Sequence, residues 1–442
     1  MSPLETLHAL VAAARAAGAE SADALLARSA SLSVQRRLGR IEHLERAESF
    51  DMGLRVFIGQ HQAIVSSSDP SPAGFRALAE RAVAMARVVP EDPFAGLPAA
   101  PDGLVAAELE LFDPTEPTAE DLIARATTAE EAALAVAGVT NSEGAEAGWS
   151  RTDIALVASN GFAGHYQRSG HSLSATALAG SGTGMERDYD YSSVVHLADL
   201  DDAATLGRNA GERAVARLNP TRPKTAKLPV VFDPRVAGSL LGHLAGAING
   251  AAVARGTSFL RDRMGQRVMP AGTMVFDDPT RRRGLRSRPF DGEGMAGTRR
   301  AIIEDGVLTT WVLDWRSARQ LGLASTGHAS RGTSSAPSPN TTNLWLAAGT
   351  MTPRALMADI REGLYVTEMI GMGVNGITGD YSRGAAGFMI RNGELAEAVS
   401  EVTIAGNLKD MLLRVQAADD LVFRRGTDAP TLRIDDMTLA GA

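Results

Sequence analysis

Cysteine is absent from all 442 residues, which excludes disulfides, thiolate zinc sites, iron–sulfur clusters and a cysteine nucleophile. Any metal site or nucleophile must therefore draw on His, Asp, Glu, Ser, Thr, Lys or Tyr. No apolar run approaches the ~20 residues needed to span a bilayer, and the N-terminal stretch MSPLETLHALVAAARAAGAE carries Glu5 and reads as an amphipathic helix, not a secretion signal. A cytoplasmic location is expected. There is no G-x-S-x-G elbow for a serine hydrolase and no repeat at solenoid periods. Net positive charge is also lacking: the formal charge is −8, which argues against nucleic acid or an anionic membrane as a partner for the whole chain. What remains is a soluble globular composition, 44% hydrophobic and 22% charged, long enough to divide into two or three domains.

Periodicity organises the chain into an α+β protein of three segments, residues 1–110, 111–222 and 223–442. In the first, Leu4 to Ala17 has helical spacing. Residues 32–68 give short β-rich runs broken at Gly39, Asp51 and Gly59, and Ser71 to Ala86 returns to helix. The proline-bearing stretch from Pro90 to Pro117 reads as a connection. The central α/β segment opens with Thr118 as N-cap and Asp121 three residues on. It continues with a hairpin turning at Asn160-Gly161 and a helix from Leu200 to Arg217. Past the linker NPTRPKTAK, the third and largest segment starts with the strand LPVVFDP and becomes strand-rich. Asp305-Gly306 and Asn392-Gly393 each sit between β-rich runs and mark hairpins. Residues 329–343, small and polar, are expected to form a mobile surface loop.

The blocks GSLLGHLAGAING, RGTSFL, PFDGEG, STGHA, VTEMIGMGVNGITGDYSRGAAGF and SEVTIAGNLKDM follow one another along the C-terminal half. In composition and order they resemble the TldD/PmbA family, once called modulators of DNA gyrase, and are closest to its PmbA or TldE branch. The resemblance implies one half of a heterodimeric cytoplasmic metallopeptidase whose TldD subunit holds zinc on an HExxxH segment, with a cysteine near the C-terminus. Aligned on the Gly-x-Leu-Leu lead-in at Gly238, Leu240 and Leu241, Gly242 stands at the first zinc-ligand position. His243 stands where the general-base glutamate would be, and Ala247 replaces the second histidine. The C-terminal stretch LVFRRGTDAPTLRIDDMTL offers no cysteine. A zinc hydrolase needs about three protein ligands and a base, so this chain is expected to bind no metal itself, with zinc in the partner subunit.

Other features divide between a functional and a structural reading. His328 in STGHA, with Asp380, Tyr381 and Arg383, could line a cavity that grips a peptide; alternatively the histidine is a hydrogen-bonded structural residue and an Asp–Arg pair holds the turn. GMGVNG matches G-x-G-x-x-G but lacks the following helix that dinucleotide binding requires, and reads as a glycine-rich turn. RRRGLRSRPF (281–290) is basic, yet lacks interleaved aromatics and has Asp277, Asp278 and Asp291 nearby, so it reads as a solvated loop or a subunit contact, not a nucleic-acid site. His165 and His171 could meet across a hairpin, without metal-ligand spacing. The resulting expectation is a non-catalytic PmbA/TldE-like subunit that pairs with a TldD-type peptidase acting on unfolded or leader-type peptides. The alternative is a metal-free peptide-binding or scaffold protein, a homodimer in isolation.

Overall fold

Each of the first four helices starts where a short polar side chain precedes an apolar-periodic run and can accept the otherwise orphaned backbone N–H groups of the first turn. In a computed structural model, which describes residues 2–99 and 108–442, Ser2 caps α1 (Pro3–Ala16) and Ser71 caps α2 (Pro72–Ala86). Thr118 and Asp121 form a full capping box on α3 (Ala119–Leu134), and Asp202 caps α4 (Ala203–Ala216). Against them lie β1 (Ser21–Arg37), β2 (Arg40–Ile58), β3 (His61–Ser67), β4 (Val139–Ala158), β5 (Ala163–Ala179) and β6 (Glu186–Val194). These six form one antiparallel sheet in the order β3-β2-β1-β4-β5-β6.

Strand β1 pairs with β2 on one side and with β4 on the other, so the sheet passes across residue 110 without interruption. The two lobes keep separate apolar layers on one face. Ala22, Ala24 and Leu26 pack beneath α1 and α2, while Ala30, Leu32 and Val34 of the same strand pack beneath α3 and α4. The period of two in a strand puts these alternate residues on one side. The break expected at Asp51 is absent. β2 runs through it, because its ladder with β1 continues unbroken at the Ala27–Asp51 pair; the Asp51 carboxylate also accepts a hydrogen bond from the Thr333 hydroxyl of the C-terminal domain.

The C-terminal domain opens with β7 (Ala226–Phe232), α5 (Pro234–Ala247) and α6 (Gly250–Ala254). It continues with β8 (Val275–Asp278), β9 (Arg300–Glu304), β10 (Val307–Leu308), α7 (Trp315–Leu321), β11 (Ala329–Ser330), β12 (Ser338–Pro339) and β13 (Asn343–Leu346). Then come α8 (Pro353–Met357), β14 (Glu362–Ile370), β15 (Asp380–Arg391), β16 (Glu394–Asn407), α9 (Leu408–Leu413), β17 (Gln416–Ala417), β18 (Thr427–Asp428) and β19 (Leu432–Ala440). One sheet has the order β10-β9-β8-β13-β18, the other β16-β15-β14-β7-β19-β17, and pairing of β16 with β19 closes the second on itself. Both expected hairpins are present. Asp305-Gly306 and Asn392-Gly393 have φ of 48°, 76°, 52° and 83°, the left-handed pair that a two-residue turn between twisted strands needs. The chain is thus α+β with a strand-rich C-terminal part.

No helix among the described residues is long and apolar enough to cross a membrane.

Candidate functional site

Helix α5 carries the positions that the sequence singles out. Its Val236, Ala237, Leu240, Leu241, Leu244 and Ala247 recur at helical spacing and enter the apolar core between the two C-terminal sheets. The remaining face is almost side-chain-free: Gly238, Ser239, Gly242, Ala245 and Gly246 line a cavity of about 480 Å³. A Cβ built on Gly242 or Gly246 meets nothing within 4 Å, whereas one on Gly238 comes 2.7 Å from the Thr427 carbonyl oxygen. The first vacated ligand position, Gly242, therefore opens on a real cleft. Ala247, assigned as the second ligand position, does not share it. Its methyl is 3% exposed and packs into the core, and Gly246 faces the cleft instead.

His243 points away from that cleft toward β15. Its ring lies edge-on to Tyr381 with centroids 5.9 Å apart, and its Nε2 has no hydrogen-bond partner among the described residues. Burial, with the nearby Arg383 guanidinium adding to it, lowers its pKa below the ordinary 6.5. Tyr381 is buried, its hydroxyl 3.5 Å from the Met369 sulfur, and burial pushes its pKa upward. Arg383 keeps a partly exposed guanidinium whose Nε donates to the Ile370 carbonyl at 3.4 Å. Asp380 takes no part in this group. Its carboxylate accepts from the Thr378 hydroxyl at 2.6 Å and the Asn407 amide at 3.1 Å, which lowers its pKa and fixes the turn before β15. The anticipated Asp–Arg pair is replaced by these contacts, because Asp380 and Arg383, three residues apart on a strand, point to opposite faces.

His328 is no cavity residue. It is 0% exposed; its Nδ1 lies 2.8 Å from the Thr326 carbonyl oxygen, and its Nε2 lies 2.9 Å from the Asp277 carboxylate, also 0% exposed. The Thr342 N–H donates to the same carboxylate at 2.7 Å. The histidine ties β8 to the segment before β11, with both nitrogens occupied, and the Asp277 carboxylate extends the tie to the residue before β13. His165 and His171 sit on β5 without forming a ligand set; His171 lies 3.5 Å from Asp113.

The cleft on α5 is rich in guanidinium groups. Arg235, Arg286 and Arg425 line it beside Asn249, Asn340 and Thr341, with no carboxylate among the described residues that line it. Sequence reasoning passed over Arg425. Its signal was local: Asp428 accepts the N–H groups of Arg424, Arg425 and Gly426 at 3.0, 3.0 and 3.1 Å, a carboxylate-held turn that RRGTD could have suggested. Zinc does not fit here. Gly242 and Ala247 offer no donor atom, cationic guanidiniums repel a divalent ion, and no group of three or more His, Asp or Glu among the described residues could hold a metal.

A second polar assembly sits where the C-terminal domain meets the long sheet. Asp291 of PFDGEG accepts three backbone N–H groups, those of Glu293, Met295 and Ala329, at 2.8, 2.9 and 2.9 Å, and so fixes the turn. Glu293 then reaches the Trp315 N–H at 2.8 Å and Arg55 at 3.4 Å. Arg55 also pairs with Asp23 at 2.5 Å, and Arg331 joins Asp23 at 2.7 Å. All four side chains are buried. Burial, reinforced by Asp291, pushes the Glu293 carboxyl up to about 7 against the pull of Arg55. Arg331 and Thr333 anchor the start of the segment expected to be a mobile loop. It docks on the N-terminal sheet, and a Cβ on Gly53 would sit 1.9 Å from the Thr333 carbonyl oxygen. Residues 334–336 stay exposed.

Profiles of the PmbA/TldA metallopeptidases match in chain order: domain 1 over residues 22–86, the central domain over 112–218 and the C-terminal domain over 225–441. "Metalloprotease PmbA" of Escherichia coli O157:H7 is 37% identical over 428 residues, covering 96% of this chain and 92% of the relative. The "Metalloprotease PmbA homolog" of Haemophilus influenzae is 36% identical over 427 residues, covering 95% and 92%. Among solved structures, a Bacteroides thetaiotaomicron protein described as a DNA gyrase modulator superposes with a TM-score of 0.90 at 25% identity, covering 99% of this chain and 98% of that one. TldE of Thermococcus kodakarensis superposes with a TM-score of 0.88 at 19% identity, covering 98% and 99%, a likeness of fold.

Proposed function

The chain belongs to the PmbA/TldD metallopeptidase family, and from that premise we propose that it is the non-catalytic, PmbA/TldE-like subunit of a cytoplasmic two-subunit zinc peptidase that cuts unfolded or leader-type peptides. One observation carries this reading. The first position at which a zinc peptidase would place a ligand, Gly242, lies on a glycine-bearing helix face that opens on a cleft lined by guanidiniums, and the second, Ala247, is a methyl buried in the core. Without a metal to lower the pKa of a water, and without a carboxylate in the cleft to accept its proton, the cleft has no means of generating a hydroxide. Zinc and the hydrolytic step would belong to a TldD-type partner.

The pairing would have its seat in the C-terminal domain. The loop leading into β15 exposes Ile370, Met372 and Ile377, with Met372 87% exposed, and Arg383 lies beside it. A lasting pair would bury more than the ~1,600 Å² of a standard interface, and Arg383 could then orient a peptide against the partner's metal. The test is reconstitution: each subunit alone and then both mixed, assayed for complex formation by size-exclusion chromatography and for cleavage of an unfolded peptide. Activity confined to the mixture is expected. Cleavage by this chain alone would overturn the reading, and failure to form a complex with any TldD-type subunit would leave a metal-free peptide-binding scaffold, homodimeric or not.

A further inference from the structure

Arg425 borders three cavities. One of about 500 Å³ lies between the central lobe and the C-terminal domain, the 480 Å³ cleft lies on the glycine face of α5, and one of about 360 Å³ lies at the start of α5. The first brings together five arginines from two stretches far apart in sequence, Arg281, Arg282 and Arg283 with Arg424 and Arg425, and has Asp199 as the carboxylate in its wall. Several of these charges are already answered: Arg282 and Arg283 pair with Glu110, Arg283 also with Asp199, and Arg424 with Asp201. Three others form no ion pair among the described residues, although Asp428 and Asp278 act on Arg281 at longer range. Arg281 lies 3.6 Å over the Phe423 ring, Arg286 donates to the Thr427 hydroxyl at 3.1 Å, and Arg425 donates to the Arg235 carbonyl and lies 4.8 Å over Tyr191.

We propose that this arginine-walled path, from Arg281 at the inter-domain mouth through Arg425 to the face of Gly242 and Gly246, binds an acidic peptide segment. Planar guanidiniums match carboxylates through paired N–H donors. The two glycines, with open space where a Cβ would be, let an extended backbone approach the helix. Nucleic acid fits less well. Single-stranded nucleic acid needs free aromatic faces for its bases, and a guanidinium lies over each aromatic ring named above. The inference deepens the peptide-handling part of the proposed function, but it is tested on this chain alone, so loss of the pairing with a catalytic subunit would not touch it.

The experiment is fluorescence anisotropy with labelled ten-residue peptides: one rich in Asp and Glu, its Asn and Gln counterpart, and a single-stranded decanucleotide as competitor class. The acidic peptide should bind at least tenfold tighter than the amide counterpart, and binding should weaken with added salt. Arg281→Gln and Arg425→Gln should each weaken it at least fivefold, and Arg354→Gln, on the exposed α8 outside these cavities, should not. Gly242→Glu adds a carboxylate where there is room for one and should weaken acidic-peptide binding at least fivefold relative to Gly242→Gln. If Arg425→Gln fails to fold, Arg281→Gln and the two Gly242 variants still decide the matter. Equal binding of both peptides, tighter binding of the oligonucleotide, or indifference to Gly242→Glu would each overturn the proposal.

Discussion

Alanine at Gly242 should stabilise the protein, while alanine four residues earlier at Gly238 should destabilise it. Both glycines lie on one face of α5 in ordinary helical backbone, so helix propensity alone favours alanine at each by about 0.8–1 kcal/mol. At Gly242 the added methyl meets nothing within 4 Å, and that gain should be kept. At Gly238 the methyl would lie 2.7 Å from the Thr427 carbonyl oxygen, where ordinary contact begins near 3.4 Å, so helix and strand must part by about 0.7 Å. Overpacking of this kind costs about 1–3 kcal/mol, which leaves a net loss of about 1 kcal/mol. Urea unfolding followed by tryptophan fluorescence suits the question, because Trp311, Trp315 and Trp345, three of the four tryptophans, lie in the C-terminal domain. For a cooperative unit of that size each kcal/mol should move the melting temperature by about 2–4 °C. Gly246→Ala should follow Gly242→Ala. If Gly238→Ala and Gly242→Ala shift stability in the same direction, the assignment of an open cleft on one turn and a tight contact on the next is wrong.

Glu293→Gln should flatten part of the pH dependence of stability. The carboxyl titrates near 4.5 when unfolded and near 7 when folded, so between those values the folded state holds the extra proton and wild-type stability falls as pH rises, by about 3 kcal/mol over the window; parallel wild-type and variant curves from pH 4.5 to 8 would refute this. His243 works with the opposite sign. Its folded pKa is depressed, so stability present above about pH 6.5 should be lost as pH falls below that value, and His243→Ala should lose this dependence while costing about 0.5–3 kcal/mol in packing; unfolding curves at pH 5.5 and 7.5 check it. Elemental analysis of the purified chain should find far less than one zinc per chain, and stoichiometric zinc surviving dialysis against a weak chelator would contradict the reading of α5. In a reconstituted pair, Arg383→Ala should reduce turnover with assembly intact, and an unchanged rate would remove Arg383 from the substrate's path.

The amino-acid sequence by itself determined the local features and the family. Caps at Ser71, Thr118 and Asp202 and turns at Asn160-Gly161, Asp305-Gly306 and Asn392-Gly393 depend on contacts within a few residues, and these are written in adjacent side chains. The missing zinc donors were equally legible, since a glycine and an alanine have no donor in any fold. What only the tertiary structure decided depends on partners tens to hundreds of residues away. Strand β1 joins the two lobes into one sheet because its two edges pair with both β2 and β4, which no local pattern specifies. His328 is structural because Asp277 meets it from 51 residues away, and the start of the polar 329–343 segment is anchored because Arg331 finds Asp23 and Thr333 finds Asp51. Ala247 and Gly246 exchange places relative to the cleft because the turn of the helix, not the spacing of a motif, sets which Cβ faces it. The guanidinium path is the extreme case: Arg281 and Arg425 are 144 positions apart in sequence, and only the strand order β8-β13-β18 within the C-terminal domain brings the stretch after β8 and the stretch before β18 to one cavity.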